Sequence, residues 1–238
     1  MYPAMISELL AAERRKTMHS QADAFRRAKS AGEMRHPHQD PRTHRFLTTA
    51  FAGIRRLGVH IRPVEPGDAD LIGEGFARLS DESRRLRFLG PKTRLTETEL
   101  RYFTDLDHHD HEALIAVSRL SGRGLGVARF VRLADDPTTA DLAVVVADEW
   151  QRSGLGTALI ARLVDRARCE GIARFSALLL SENEGARRLM RRTGTSVRLV
   201  GRDAGTLSYE MELSPWVPEP SYRRRFGITA PGDCVGAA

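Results

Sequence analysis

The most distinctive chemical pattern of the chain is a glycine-bearing segment between an apolar run and an amphipathic one. The run that holds Val144 and Val146 leads into Gln151-Arg152-Ser153-Gly154-Leu155-Gly156-Thr157, after which apolar residues recur at helical spacing. A strand, a glycine loop and a helix N-terminus in succession bind anions, because unpaired N–H groups point outward, the helix dipole is positive there and glycine permits close approach. We therefore predict a site for a diphosphate.

Two other kinds of glycine loop do not fit these residues. The segment lacks the Gly-Lys-Ser/Thr of a P-loop, and Ala158-Leu159 does not supply the third glycine of a dinucleotide-binding loop. A second glycine-rich segment, Gly122-Arg123-Gly124-Leu125-Gly126, lies between two predicted strands with no helix after it. That segment predicts a hairpin turn.

The segment 107–112 holds three histidines among three acidic residues, a density that raises a metal site or a catalytic histidine as alternatives. No further cluster of metal-ligating residues stands out elsewhere in the sequence. We favour a solvated loop and predict no metal.

The elements that must position these residues are of mixed type. Hydrophobic periodicity and turn residues predict one strand, three short helices, a meander of three strands, a long helix, a strand, a helix and two final strands. Ser80 and a capping box at Thr96 and Glu99 predict the starts of the second and third helices. The predicted strands are 59–64, 114–117, 127–133, 141–147, 175–180, 197–200 and 207–213, and the two later helices are 154–170 and 182–192. This order predicts a mixed α/β fold built in layers.

The chain has 238 residues and a formal net charge of +6, and the excess positive charge belongs to its N-terminal part. Residues 1–58 carry net +6, residues 59–213 net −1 and residues 214–238 net +1. We predict a basic, partly helical extension at 1–58, one folded domain at 59–213 and a Pro/Gly-rich, disordered tail at 214–238. A nucleic-acid contact is an alternative only for the extension, and we favour a solvated arm there because its arginines lack interleaved aromatic residues.

The sequence also predicts where the protein works. No apolar run approaches the roughly 20 residues of a membrane span, and residues 5–12 lack the basic flank of a signal peptide. Two cysteines are too few for a disulfide framework or a cysteine-rich zinc site. We expect a cytoplasmic protein with no membrane partner.

Several motifs together resemble one known family. Gln151-x-x-Gly154-x-Gly156 after a valine-rich strand resembles the acetyl-CoA pyrophosphate loop of the GNAT superfamily of N-acetyltransferases. Asn183-Glu-Gly-Ala-Arg-Arg-Leu189, followed by Gly194, resembles a later helix of that superfamily. Leu79-Ser-x-Glu-Ser-Arg-x-Leu-Arg-Phe-x-Gly-Pro91 and residues 95–108 resemble the GNAT domain of bacterial protein lysine acetyltransferases. The resemblance covers about residues 60–213.

The resemblance implies a mostly antiparallel sheet with splayed central strands, flanked by helices, and acetyl-CoA as co-substrate between the strands at 141–147 and 175–180. It implies that backbone groups of Val144 and Val146 pair with pantetheine, and that the amides of residues 152–157 hold the diphosphate. Asn183 would lie near the thiol end, and Arg187 or Arg188 near the adenosine-side phosphate. The implied cofactor-binding residues are Val144, Val146, Gln151, Arg152, Ser153, Gly154, Leu155, Gly156, Thr157, Asn183 and Arg187.

Arg152 departs from the family pattern, because relatives usually have glycine at this position. The backbone amide is still present, but the arginine side chain puts the local backbone conformation in question.

Acetyl transfer to an amine requires a neutral nucleophile, whereas an ordinary lysine has a pKa of about 10.4. In the lysine-acetylating relatives an acidic residue opens the fourth strand and takes the proton, and the matching residue here is Asp141, acting directly or through water. We expect its neighbours Asp148 and Glu149 to shape the loop. Many members carry a tyrosine general acid where this chain has Met190, so we expect the thiolate to leave without that proton.

Three functions remain open at this point. The first is an acetyl-CoA-dependent N-acetyltransferase that transfers acetyl directly to an amine, with protein lysine as the favoured acceptor. The second is a small-molecule amine acetyltransferase with the same donor site. The third is a non-catalytic acyl-CoA-binding module whose basic extension contacts a macromolecule.

Overall fold

The computed structural model describes Ile54, residues 57–193 and residues 196–213. The predictions for the basic extension and for the tail at 214–238 fall almost entirely outside these residues. The strands are β1 (Val59–Pro63), β2 (His111–Ser118), β3 (Gly124–Leu133), β4 (Asp136–Val146), β5 (Arg174–Leu180), β6 (Ser196–Asp203) and β7 (Thr206–Glu212). The helices are α1 (Ala69–Ala77), α2 (Asp81–Phe88), α3 (Glu97–Thr104), α4 (Leu155–Cys169) and α5 (Glu184–Thr193), with 3-10 turns at Pro66–Asp68 and Asp148–Trp150.

The strands of the described residues form one sheet in the order β1-β2-β3-β4-β5-β7-β6. Every adjacent pair is antiparallel except β4 and β5, which run parallel. A parallel pair needs a crossover connection, and α4 supplies it. The predicted mixed, mostly antiparallel α/β fold is therefore confirmed.

α4 packs on one face of the sheet and forms most of the core with it. Its residues Leu155, Leu159, Ile160 and Leu163 recur at helical spacing and are completely buried. The same cluster includes Ile54, which lies within the predicted extension and is 2% exposed. Since burial of one large apolar side chain contributes about 1.5–3 kcal/mol, this layer fixes the direction of α4 and so the place of its N-terminus.

The three short helices α1 to α3 lie on the other face of the sheet, and two of them begin where capping residues predict. The Ser80 side chain accepts a hydrogen bond from the amide of Ser83, at 3.2 Å. Thr96 and Glu99 form the predicted capping box, each side chain accepting from the other residue's amide. None of the described helices is long and apolar enough to cross a membrane.

Three strands begin three or more residues earlier than the sequence predicts, and one of them, β2, begins at His111. β4 begins at Asp136, because Asp136 pairs with Leu133 of β3 across a tight turn, and Asp141 therefore lies in the middle of β4 and not at its start. β3 begins at Gly124, so Gly124 and Gly126 are strand residues. The predicted hairpin turn is confined to the residues before them, at 119–123.

Candidate active site

The sheet opens into a cleft between β4 and β5. The two strands pair only at Thr139 with Arg174, Ala140 with Phe175 and Asp141 with Ser176. Beyond Asp141 they diverge, and within the described residues the edge of β4 that faces β5 has no strand partner from 142 to 146. A cleft of about 2040 Å³ occupies the gap, and its walls include Val144 and Val146. The predicted splay of the central strands is confirmed.

The N-terminus of α4 presents unpaired backbone amides to this cleft. The N–H groups of Arg152, Gly154, Gly156 and Thr157 donate no hydrogen bond within the part of the chain that the structure describes, and all four residues line the cleft. The first amide of the helix that donates to a backbone carbonyl is that of Ala158, which bonds to the Gly154 carbonyl at 3.0 Å. Four outward-facing donors at the positive end of a 15-residue helix form an anion site of the predicted kind.

Side chains of the loop itself hold these amides in place. Gln151 Nε2 donates to the carbonyl of Val146 at 3.3 Å and to Ser83 Oγ at 3.0 Å, which ties the loop to the end of β4 and to α2. Ser153 Oγ donates to the carbonyl of Trp150 at 2.6 Å and accepts from the amide of Leu155 at 3.3 Å. The side chains of Gln151 and Ser153 thus shape the loop, and Leu155 is buried in the core.

Asp148 connects the same loop to α2. Its carboxylate accepts hydrogen bonds from the amide of Ser80 at 2.8 Å, from Ser80 Oγ at 2.9 Å and from Ser83 Oγ at 2.6 Å. Burial raises the pKa of Asp148, but the hydrogen bonds from Ser83 and Ser80 outweigh it and hold the pKa below its ordinary value. A carboxylate bound in this way shapes the loop, as expected of Asp148, and is poorly suited to accept a proton.

The backbone of the loop passes twice through the left-handed region. Arg152 has φ of 61° and Gly154 has φ of 92°. A glycine adopts this conformation freely, whereas a residue with a side chain is strained there by about 1–3 kcal/mol. The arginine at position 152 therefore does not change the local backbone conformation. It adopts the left-handed conformation for which a glycine is suited.

Asp141 stands at the point where β4 and β5 separate. Its neighbours Ala140 and Leu142 are buried in the core that α4 forms, so Asp141 lies on the opposite face of the sheet, where it is exposed to the cleft. Ser176 Oγ donates to its carboxylate at 3.4 Å. The geometry thus places a solvent-accessible carboxylate beside the cleft, on the wall that α4 does not cover.

Comparison with known proteins shows which family and fold this chain resembles. Residues 78–195 match the acetyltransferase (GNAT) family. The acetyltransferase Pat of Mycolicibacterium smegmatis is 31% identical over 156 residues, which are 66% of this chain and 46% of that protein. The crystal structure of the GNAT domain of S. lividans PAT is 27% identical, with a TM-score of 0.61 over 65% of this chain and 90% of that domain.

The chain carries a GNAT domain. A structure of yncA from Salmonella typhimurium with acetyl-CoA shares the fold, with a TM-score of 0.54 and 22% identity over 68% of this chain and 99% of that one. The chain spans less than half the length of the Mycolicibacterium relative.

On the far side of the cleft, α5 of the GNAT domain brings further predicted residues to the site. Asn183 lines the cleft and caps α5, because its Oδ1 accepts from the amide of Ala186 at 3.0 Å. Arg188 also lines the cleft and pairs with Glu184 at 2.8 Å, whereas Arg187 is not among the lining residues. The assignment of Arg187 or Arg188 to the adenosine-side phosphate stays a prediction.

One ion pair spans the cleft of the GNAT domain. Arg85 of α2 contacts Glu182, at the start of the turn into α5, with a distance of 2.7 Å between Nη1 and Oε1. No local sequence pattern predicts this contact, because its partners are 97 positions apart. This ion pair links α2 to the turn that follows β5, at the point where β4 and β5 lie apart.

The segment 107–112 is more tightly built than the predicted solvated loop. His109 is exposed, but the side chain of Glu112 is only 1% exposed and bonds to His108 Nδ1 at 2.8 Å and to Arg166 Nε at 2.9 Å. These contacts join the start of β2 to the C-terminal half of α4. Among the described residues, no group of three or more His, Cys, Asp or Glu side chains is arranged to hold a metal ion.

Sequence reasoning missed the residues on the wall opposite α4. Arg129 of β3 and Tyr102 of α3 both line the cleft, and Arg129 Nη2 donates to the Tyr102 hydroxyl at 3.1 Å. An arginine between apolar residues of a strand, as in Val127-Ala128-Arg129-Phe130, was the available signal.

Proposed function

We propose that this chain is an acetyl-CoA-dependent N-acetyltransferase that transfers acetyl directly to lysine side chains of proteins. The observation that carries the proposal is the set of unpaired amides at Arg152, Gly154, Gly156 and Thr157, which lie at the mouth of the cleft between β4 and β5. These donors suit the diphosphate of acetyl-CoA.

The cleft also suits the rest of the donor molecule. Pantetheine carries two amide groups, and the unpaired edge of β4 at Val144 and Val146 offers backbone groups that can bond them as a neighbouring strand would. The solved Salmonella relative that shares this fold holds acetyl-CoA. The thioester would then lie toward the fork of the strands, where Asp141 is exposed.

Asp141 would act as the base of the reaction. The acceptor enters as an ammonium, and Asp141 takes a proton from it directly or through a water. The amine nitrogen then attacks the thioester carbonyl carbon, so that an N–C bond forms and the C–S bond breaks. The nitrogen loses its second proton to water as the amide forms, and the CoA thiolate leaves.

The leaving thiolate would take its proton from solvent. Met190 lines the cleft at the position where many members have tyrosine, and no proton is available from its side chain. A thiolate is a good leaving group, so the reaction does not require a general acid at this position.

Protein lysine is the acceptor that the sequence motifs at 79–91 and 95–108 favour. The chain covers less than half of its Mycolicibacterium relative, so the choice of protein lysine as the acceptor rests on these motifs and not on that protein. We also propose that the reaction takes place in the cytoplasm.

The test is an acceptor screen with the purified chain. We expect free CoA thiol to be released when acetyl-CoA is mixed with lysine-containing proteins, and acetyl-lysine to be found on them by mass spectrometry. Thiol release with polyamines or amino acids alone would identify the small-molecule enzyme instead. Acetyl-CoA binding without turnover of any acceptor would identify a non-catalytic binding module.

The base assignment has its own test. Asp141→Asn should lower kcat/KM by about 100-fold or more, because a positioned base contributes roughly 10²–10⁴ in rate, while acetyl-CoA affinity stays unchanged. Glu149→Gln, two residues before the loop and exposed, is the matched control and should retain activity. An Asp141→Asn enzyme with full turnover at every pH would exclude Asp141 as the base.

A further inference from the structure

A cavity lies between the sheet and the three short helices, on the face of the sheet opposite α4. Its volume is about 80 Å³, and residues of α1, α2 and α3 roof it while residues of β2, β3 and β4 form its floor. Among the described residues that line it, only Arg87 and Arg129 have polar side chains. Apolar cavities of this kind stay dry and bind apolar groups. The cavity therefore suits a piece of hydrocarbon.

Two facing glycines leave this space open. Gly75 of α1 lies across from Gly124 of β3, and a Cβ at Gly75 would lie 4.0 Å from the Gly124 carbonyl oxygen, which is an ordinary contact distance. Ile115 of β2 belongs to the floor, and its Cδ1 would lie 3.6 Å from a Cβ at Gly124. Glycine inside a helix is less favourable than alanine, so helix propensity does not account for Gly75. The side chain that is absent there leaves room for a ligand.

The cavity adjoins the cleft between β4 and β5. Five residues line both spaces, namely Arg87, Phe88, Phe103, Arg129 and Val145. Asp141, Ala143 and Val145 alternate along β4 and so share one face of the sheet. Ala143, which lies between the fork and the cavity, has a side chain of one carbon and lines the cleft. A group that passes Ala143 thus reaches the cavity from Asp141 within roughly 7 Å along the strand.

The charged groups at this junction lie against its aromatic rings. The guanidinium carbon of Arg87 lies 5.0 Å from the ring centre of Phe88, and that of Arg129 lies 5.0 Å from the ring centre of Phe103. The Asp141 carboxylate belongs to the cleft and does not line the cavity. Both guanidinium groups are held on rings of the junction, and the rest of the wall is apolar.

We propose that this cavity takes the acyl chain of the donor, so that the protein also transfers acyl groups longer than acetyl. The thioester would lie at the fork beside Asp141, and the acyl chain would pass Ala143 into the space below Gly75. A cavity of roughly 150 Å³ holds benzene with its six carbons, so about 80 Å³ suits about three carbons. An acyl group of four or five carbons therefore has the right length. This inference rests on the proposed function and names the class of donor.

The chemical step is the same as for acetyl. The amine nitrogen forms a bond to the acyl carbonyl carbon, the C–S bond breaks and the CoA thiolate leaves. Asp141 takes one proton of the ammonium, directly or through water, and water takes the other. No further reactant is needed.

The test compares acyl-CoA donors within each variant by isothermal titration calorimetry, which needs no acceptor. Burial of each methylene contributes about fourfold in affinity, so the unchanged chain should bind butyryl-CoA about tenfold more tightly than acetyl-CoA. Gly75→Val would fill the cavity with its own side chain and should bring the ratio of the two dissociation constants close to one. Gly73→Val, on the same helix but outside the cavity lining, is the matched control and should keep the ratio.

Ile115→Val changes the cavity in the opposite direction. It removes one carbon from the floor and should raise the affinity for hexanoyl-CoA relative to butyryl-CoA. Each ratio is measured within one variant, so partial unfolding weakens both donors equally and cannot imitate these changes. If butyryl-CoA binds no more tightly than acetyl-CoA, or Gly75→Val leaves the ratio unchanged, this inference is wrong while the proposed function stands. The proposed function fails separately, if none of the donors releases CoA thiol with any acceptor.

Discussion

The chain contains the tripeptide Gly-Leu-Gly twice, and the two copies have different structural roles. Gly124-Leu125-Gly126 begins β3, whereas Gly154-Leu155-Gly156 begins α4. Each follows an arginine by one or two residues, and each leucine is buried, at 4% and 0% exposed. Local sequence therefore does not decide between a strand and a helix N-terminus at these sites.

The glycines of the two copies are required for different reasons. A Cβ at Gly126 would lie 2.9 Å from the carbonyl oxygen of Val145, so this glycine allows two strands and α4 to pack closely. Gly154 instead needs its positive φ, and Gly156 combines an unpaired amide with close packing, since a Cβ there would lie 3.1 Å from the side chain of Leu189. The first copy serves packing, whereas the second serves both packing and binding.

The largest effect is expected from charge at the second copy. Gly154→Asp with Gly156→Asp should weaken acetyl-CoA binding by about 100-fold or more. Two negative charges would lie beside the diphosphate, the side chain at 156 would crowd Leu189, and the residue at 154 would be strained at a φ of 92°. Isothermal titration calorimetry measures the loss, and circular dichroism checks that the fold remains. Gly67→Asp is the control, since a Cβ there has no atom within 4 Å. Unchanged affinity in the double variant would show that the diphosphate does not lie at these amides.

An opposite pattern is expected at the first copy. Gly126→Ala should lower the free energy of unfolding by about 2–3 kcal/mol, because the backbone oxygen of Val145 and the side chain of Leu159 leave no room for a methyl group. Urea denaturation measures this change, with Gly67→Ala as the control. The folded fraction should bind acetyl-CoA with its original affinity. A stable Gly126→Ala variant that had lost binding would mean that the two copies share one function.

The sequence predicted the second copy well because its signal is local. An apolar strand, a loop with Gly154 and Gly156, and an amphipathic helix with Leu159 and Leu163 occur in chain order, and the geometry of an anion site follows from that order alone. The loop's anchors were not predictable in the same way. Asp148 and Gln151 bond to Ser80 and Ser83, almost 70 positions earlier, and no periodicity reports such contacts.

The sequence predicts a turn for the first copy, because glycine-rich segments between strands usually form one. The strand continues through Gly124 and Gly126 because β2 and β4 flank it and supply hydrogen bonds to its backbone. β4 begins as early as Asp136 for the same reason, because this residue pairs with Leu133 of β3. Pairing with a neighbouring strand, more than side-chain type, decides where a strand begins. The position of Arg129 at the cleft is unpredictable for a related reason. It lies near Asp141 because of the register between β3 and β4, and the sequence pattern does not report that register.

The smallest effect, and the most direct comparison of the two copies, comes from the arginines that precede them. Arg152→Gly should raise the free energy of unfolding by about 0.5 kcal/mol, because relief of strain at φ of 61° exceeds the added entropy of glycine in the unfolded chain. Arg123→Gly should instead lower it slightly, since the φ of Arg123 is not in the left-handed region. Thermal or urea denaturation compares the two variants, and acetyl-CoA affinity should change little in either, because both retain the backbone amide. Destabilisation by Arg152→Gly equal to that by Arg123→Gly would mean that the side chain of Arg152 stabilises the loop by as much as its backbone conformation strains it.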